Sequence, residues 1–215
     1  MKSRKKGWIA AGLLAAFVLW TAAVCLVDVQ QIGPEASAVG LATMNRAFHR
    51  LTGVHWTLYD GTDWLSLIPM GWVLGFAALG LIQWIKRKSI RKVDGSILIL
   101  GGFYAVVMMV YLLFERFVVN YRPVLIAGVL EASYPSSTTM LTLCVMLTAM
   151  MQMNSRMKPG VLRRTIVYSM AMFTAFMVVG RLVSGVHWLS DIIGGLLISA
   201  GLIDLYVTVC DWKSK

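Results

Sequence analysis

The sequence predicts an all-α integral membrane protein, a six-helix bundle with both termini in the cytoplasm. Three observations lead there. Of 215 residues, 58% are hydrophobic and only 14% charged, with a mean hydropathy of +0.72, whereas a soluble domain carries about a quarter charged residues. Apolar runs recur at the length of roughly 20 residues that a helix needs to cross hydrocarbon. Finally, fifteen of the twenty lysines and arginines fall where a six-span chain leaves them on one side.

The first span, 8–27, follows Lys2, Arg4, Lys5 and Lys6. This basic start and the later Ala22-Ala23-Val24-Cys25 look like a signal peptide. However, Val24 is a poor residue before a lipoprotein-type cysteine and no Ala-x-Ala site is convincing, so the segment is expected to remain as a span. Residues 28–63 then form an outside segment in which Leu41, Met44, Phe48 and Leu51 recur at helical spacing. That pattern fits an amphipathic helix on the outer leaflet or a helix packed against the bundle. Trp56, Tyr59 and Trp64 read as interfacial aromatics, and Asp60 and Asp63 as loop and cap residues before the next helix. The remaining spans are expected at 64–85, 97–114, 138–153, 165–180 and 188–209, with short loops and no internal repeat. One membrane domain covers 1–215, with its core at about 60–210.

Charge sets the orientation. Lys86, Arg87, Lys88, Arg91 and Lys92 lie between the second and third spans, Arg156, Lys158, Arg163 and Arg164 between the fourth and fifth, and Lys213 and Lys215 after the sixth. Basic loops stay in the cytoplasm. The formal charge of +10 therefore reflects topology and anionic headgroups rather than nucleic acid. A bacterial plasma membrane suits these short basic loops. Cys25, Cys144 and Cys210 are odd in number and lack metal-ligand spacing, so neither a disulfide framework nor a metal site is expected. The fourteen methionines are read as packing and lipid-facing residues.

The outside loops carry the chemistry. After the third span comes Glu115-Arg-Phe-Val-Val-Asn120-Tyr-Arg122-Pro123, and before the fourth Glu131-Ala-Ser-Tyr134-Pro135-Ser136-Ser137-Thr138-Thr139. Arg181, His187 and Asp191 follow at the spacing R-x5-H-x3-D between the last two spans. A guanidinium at Arg122 or Arg181 can grip phosphate in a fork. Ser136, Ser137 or Thr138 can cap the fourth helix, whose free N–H groups form an anion site. Such caps also occur on helices that bind nothing. An imidazole can attack phosphorus if a carboxylate orients it, a chemistry open to His187 with Asp191 four residues on. A salt bridge at a helix start is the bland alternative for that pair.

Three ordered motifs on one side of a six-helix chain resemble the type 2 phosphatidic acid phosphatase superfamily, whose pattern is K-x6-R-P, then P-S-G-H, then S-R-x5-H-x3-D. The resemblance covers roughly residues 60–210. It implies a phosphohistidine intermediate on His187, with Asp191 orienting it. It also implies that Arg122, Arg181, Ser136 and the amides of Ser137 and Thr138 cradle the phosphate, with no cofactor.

The sequence departs from that pattern. Glu115 stands where the family has lysine, Ser137 where it has glycine, Gly180 where it has serine, and Thr138 where it has the histidine that protonates the leaving oxygen. A threonine hydroxyl is too weak an acid for that task near neutral pH. Arg116 could replace the lysine only from a shifted register, and Glu115 is expected to neutralise a site arginine. Glu131, Glu115, His55 and His49 are the alternative proton donors, though histidine is also commonplace at a membrane surface.

The expected function is removal of phosphate from a lipid phosphate or diphosphate, such as a prenyl diphosphate, at the outer face of the plasma membrane. The alternatives are a family member that binds or transports lipid phosphates without hydrolysis, and a phosphotransferase. Oligomeric state is not legible.

Overall fold

The computed structural model describes residues 2–213, with side chains from Gly7 onward. Lys215 and the side chains of Lys2, Arg4, Lys5 and Lys6 lie outside the described residues. The chain is 76% helical, and the described residues form eight α-helices: α1 (Lys2–Leu26), α2 (Ala42–Thr52), α3 (Trp56–Leu65), α4 (Leu67–Arg87), α5 (Gly95–Arg116), α6 (Ser137–Arg156), α7 (Val161–Val183) and α8 (Leu189–Lys213). A two-residue antiparallel ribbon, β1 (Gln30–Gln31) with β2 (Ala38–Val39), closes the loop after α1.

Among the described residues, five stretches are long and apolar enough to cross a membrane: Gly7–Leu26, Trp56–Arg87, Gly95–Arg116, Val161–Val183 and Leu189–Lys213. The fourth expected span is not among them. Its helix, α6, forms over the anticipated residues but buries Thr139, Thr142, Thr148 and Gln152. The reason is its position: α6 packs against α4, α5, α7 and α8, so its flanks meet protein and tolerate polar groups that lipid would penalise. The second expected span is also corrected. Helix starts at Trp56 and breaks at Ser66 into α3 and α4.

Contacts between helix ends divide the bundle into two poles. At one, Asp94 pairs with Arg87 at 2.9 Å and with Arg156 at 3.2 Å. Hydrogen bonds from Arg87, Gln83 and Arg156 hold its carboxyl down to about 2. At the other pole lie the ends of α1, α5 and α7, the starts of α4, α6 and α8, and all of α2 and α3.

The pairing of α1 with α8 seats the last helix. Gly201 lets α1 approach, because a Cβ there would stand 2.7 Å from Leu14 Cδ2. Nearer the second pole, the Trp20 indole N–H donates to Ser190 O at 3.1 Å, and the Thr21 and Tyr134 hydroxyls share a 2.7 Å hydrogen bond. Tyr134 lies against Gly194, where a Cβ would come within 2.6 Å of its ring.

Helix α2 packs on the bundle. Its buried residues are Ala42 and Asn45, while Leu51 is exposed. The anticipated apolar face is thus only partly used, and the buried polar position Asn45 decides where the helix sits.

Candidate active site

The loop from α5 to α6 is a short hairpin. Tyr121 bridges Ala132, and Ile126 bridges Val129. Between the latter pair Ala127 and Gly128 both have positive φ, as a type I′ turn requires. This reversal sets Arg122 opposite Glu131. The Arg122 N–H donates to Glu131 O at 3.0 Å, and their side chains pair at 3.0 Å through Arg122 Nε and Glu131 Oε2. The expectation for Glu115 is therefore corrected. That residue is exposed near the end of α5, which stops at Arg116, so a helical seven-residue reach to Arg122 does not exist. Arg116 is exposed as well, with its guanidinium 6.0 Å from the Phe117 ring.

Arg122 reaches from the hairpin to the loop between α7 and α8. Its Nη1 lies 3.2 Å from His187 Nε2 and 3.5 Å from Val186 O. With arginine as the donor, Nε2 is the ring's unprotonated nitrogen and Nδ1 carries the hydrogen. His187 precedes α8, and Asp191 sits in its first turn. Asp191 Oδ2 stands 3.7 Å from His187 Nδ1, beyond a formed hydrogen bond but facing it. The same oxygen accepts the Trp188 N–H at 2.9 Å, the reciprocal half of a capping box. Helix capping and ring orientation are thus served by one buried carboxylate. Burial pushes His187 down to about 4, opposed by Asp191 and aided by Arg122 and Arg181. The imidazole is neutral over the physiological range.

Arg181 is 1% exposed. Its Nη2 donates to Asp63 Oδ1 at 3.0 Å and to Thr138 Oγ1 at 2.7 Å, while Nη1 reaches Tyr59 O and Thr62 Oγ1, each at 3.4 Å. The Tyr59 ring lies 4.9 Å from the guanidinium carbon. This corrects the reading of Asp63 as a helix cap and of Tyr59 as an interfacial aromatic. Glycine at 180 also has a reason: a Cβ there would stand 2.8 Å from Thr62 Cγ2, where α3 crosses α7.

Ser136, Ser137 and Thr138 stand at the start of α6. Ser136 precedes it without a side-chain cap, contrary to the capping expectation. Its hydroxyl donates to Thr139 at 3.0 Å, and its N–H to Asp191 O at 3.0 Å. The first N–H groups of α6 are left for an anion. Of the other candidates, His55 is exposed and its Nε2 lies 2.8 Å from Thr52 O. His49 is nearer, 3.1 Å from Gly185 O and tilted against Trp188 at 5.4 Å.

Two asparagines escaped the sequence reading. Asn45 Nδ2 donates to Gly40 O at 2.8 Å and Ser190 Oγ at 2.9 Å, and its Oδ1 accepts the Ser190 N–H at 3.0 Å. Asn120 Nδ2 donates to Asp191 Oδ1 at 3.3 Å. A lone asparagine has no periodic signal; only the distance between an outside helix and α8 reveals Asn45. Among the described residues no cluster of histidine, cysteine and carboxylate could hold a metal.

The arrangement is a neutral imidazole whose unprotonated Nε2 accepts from Arg122, two buried arginines and a helix start, suited to nucleophilic attack on a held phosphoryl group once the guanidinium turns to the phosphate. A cavity of about 250 Å³ runs from Ser137 and Thr138 between α4, α5 and α6, lined by Met70, Val107, Leu141 and Val145 among others.

Comparison with protein families gives a match to the PAP2 superfamily over residues 97–215. Among solved structures, the chain is similar to the first transmembrane PAP2 type phosphatidylglycerolphosphate phosphatase from Bacillus subtilis. The TM-score is 0.64 at 16% identity, over 96% of this chain and 97% of that one. Comparison with curated proteins gives no match.

Proposed function

From the premise that the chain belongs to the PAP2 superfamily, a group of membrane phosphatase fold, we propose that it removes phosphate from a lipid monophosphate or diphosphate through a phosphohistidine on His187. The observation that carries this reading is the contact of Arg122 Nη1 with His187 Nε2. It supports Nε2 as the attacking nitrogen, with a guanidinium beside it that can hold phosphate.

In the first step, Nε2 attacks phosphorus in line with the departing oxygen. Arg122, Arg181, Ser136 and the amides of Ser137 and Thr138 hold the phosphoryl oxygens, and Asp191 favours the charged ring that results. Water then cleaves the phosphorus–nitrogen bond. The apolar cavity beside Ser137 and Thr138 takes part of the lipid chain, so that chain binding delivers the headgroup. The basic pole faces the cytoplasm and the site faces outward, as the positive-inside rule directs. The chain works as a multi-pass protein of a bacterial plasma membrane.

The test is phosphate release by purified protein in detergent micelles, from lipid monophosphates and diphosphates that include phosphatidylglycerolphosphate. Release that His187→Ala abolishes, with acid-labile phosphate trapped on the wild type only, is the expected outcome. No release from any substrate, with lipid phosphates still bound through Arg122 and Arg181, overturns hydrolysis in favour of a binding protein. That second reading has one observation behind it: Glu131 and Asp63 already neutralise the two arginines.

A further inference from the structure

The missing proton donor has a replacement in the geometry. We propose that Asp63, on α3, is the general acid of the first step and the general base of the second. This rests on the hydrolytic reading above.

The argument starts from Arg181 Nη2. That one nitrogen donates to both Asp63 Oδ1 and Thr138 Oγ1, so the carboxylate of α3 lies beside the residue at the start of α6. Thr138 is where the family pattern carries its acid. The chain has thus lost an imidazole and holds a carboxylate next to the vacated position. Asp63 is also accessible, with its side chain 58% exposed while Arg181 is buried, as a group that exchanges protons with water must be.

The other carboxylate, Glu131, fits less well. It pairs with Arg122, whose Nη1 touches the attacking nitrogen. In an in-line displacement the leaving oxygen departs from the opposite side of phosphorus. The hydrogen bonds of Arg181 go to α3 and α6 instead, so Asp63 pairs with a different guanidinium from the one on the attacking nitrogen. His55 is exposed with its Nε2 on Thr52 O, and Glu115 lines a separate small pocket that reaches Ser137 from the side of α5.

A phosphate that takes Arg181 removes the partner of Asp63 and brings its own oxygens beside the carboxyl group. The groups around it are Arg181 on α7, Thr138 on α6 through the same guanidinium nitrogen, and Tyr59 on its own helix, which Arg122 and Glu131 of the hairpin also face. The cycle closes. His187 Nε2 forms the bond to phosphorus, the phosphorus–oxygen bond breaks, and the Asp63 proton goes to the departing alkoxide. A water then gives a proton to the Asp63 carboxylate as its oxygen attacks phosphorus, and the phosphorus–nitrogen electron pair returns to Nε2.

The experiment compares Asp63→Asn with wild type on two substrates in detergent micelles. Phosphatidic acid has an alkoxide leaving group that needs the proton; p-nitrophenyl phosphate has one that does not. Asp63→Asn should slow phosphatidate turnover by about 10²–10⁴-fold and remove the alkaline fall of its pH profile. The first-turnover release of nitrophenolate should fall by less than about tenfold, since a leaving group of low basicity gains little from an acid. Equal losses on both substrates, or none on either, overturn the proposal. Should Asp63→Asn fold poorly, Asp63→Glu decides: it must restore most phosphatidate turnover, and a Glu variant as slow as Asn also overturns it. A wild type without phosphate release, or a His187→Ala protein as active as wild type, instead removes the underlying hydrolytic reading.

Discussion

Replacing Asn45 with alanine tests whether α2 holds the start of α8, and with it the nucleophile. The amide is wholly buried. Its three hydrogen bonds reach Gly40 O, Ser190 Oγ and the Ser190 N–H at 2.8, 2.9 and 3.0 Å. Ser190 Oγ keeps other neighbours, Asn120 Nδ2 and Asp191 Oδ1, each at 3.4 Å. The Ser190 N–H belongs to the first turn of α8, where no carbonyl of the same helix can serve it. Each neutral hydrogen bond contributes about 0.5–1.5 kcal/mol, and a buried group left unpaired costs about 1–3 kcal/mol, so the expected loss is about 2–4 kcal/mol. The assay is denaturant unfolding in detergent, beside phosphate release. Because Ser190 adjoins Asp191, activity should fall along with stability. A double-mutant cycle with Ser190→Ala isolates the side-chain arm and should give a coupling of about 0.5–1.5 kcal/mol. A loss below about 0.5 kcal/mol, the level of an ordinary surface change, with unchanged activity, would refute the claim that this amide seats α8.

Three further outcomes are expected. Gly185→Ala should cost at least 1–2 kcal/mol, roughly the penalty for a left-handed alanine, since Gly185 has φ +71° and an added Cβ would run into the Gly53 carbonyl; a melting curve and an activity assay equal to wild type would contradict this. Asp191→Asn should lower phosphoenzyme formation by on the order of 10³–10⁴-fold, measured by rapid quench, because an amide no longer favours the charged ring. The pH dependence of stability has a definite sign: burial lowers His187 from 6.5 to about 4 in the fold, so the unfolded chain binds its proton first and stability is lost as pH falls from about 6.5 towards 4. His187→Asn should flatten that part of the curve, and an unchanged slope in denaturant titrations would show that another group governs it.

The legibility of this chain follows the range of each signal. Apolar runs are local, so the long helices could be read with boundaries a few residues off. The break at Ser66 could not, because the polar residues of α3, Asp60, Thr62 and Asp63, read as loop rather than as a separate helix before the apolar α4. The pairing of His187 with Asp191 was legible because four residues separate them, although the histidine stands just before α8 and only the aspartate lies in its first turn. Glu131 was taken only as a spare acid, since its pairing with Arg122 depends on a hairpin whose turn residues, Ala127-Gly128, lack the usual Asn-Gly or Asp-Gly. Asp63 and Tyr59 meet Arg181 across more than a hundred residues. No spacing rule spans that interval, and at the start of a helix an aspartate reads as a cap.

The hydrogen bond from Trp20 to Ser190 joins residues 170 apart, and it bears on biogenesis. Synthesis from the N-terminus delivers Trp20 long before Ser190, and Arg122, Asp63 and the start of α6 before His187 and Asp191. A nascent chain that stalls before α8 therefore carries the arginines without the imidazole, and the group of buried polar side chains is complete only once the last helix has been made.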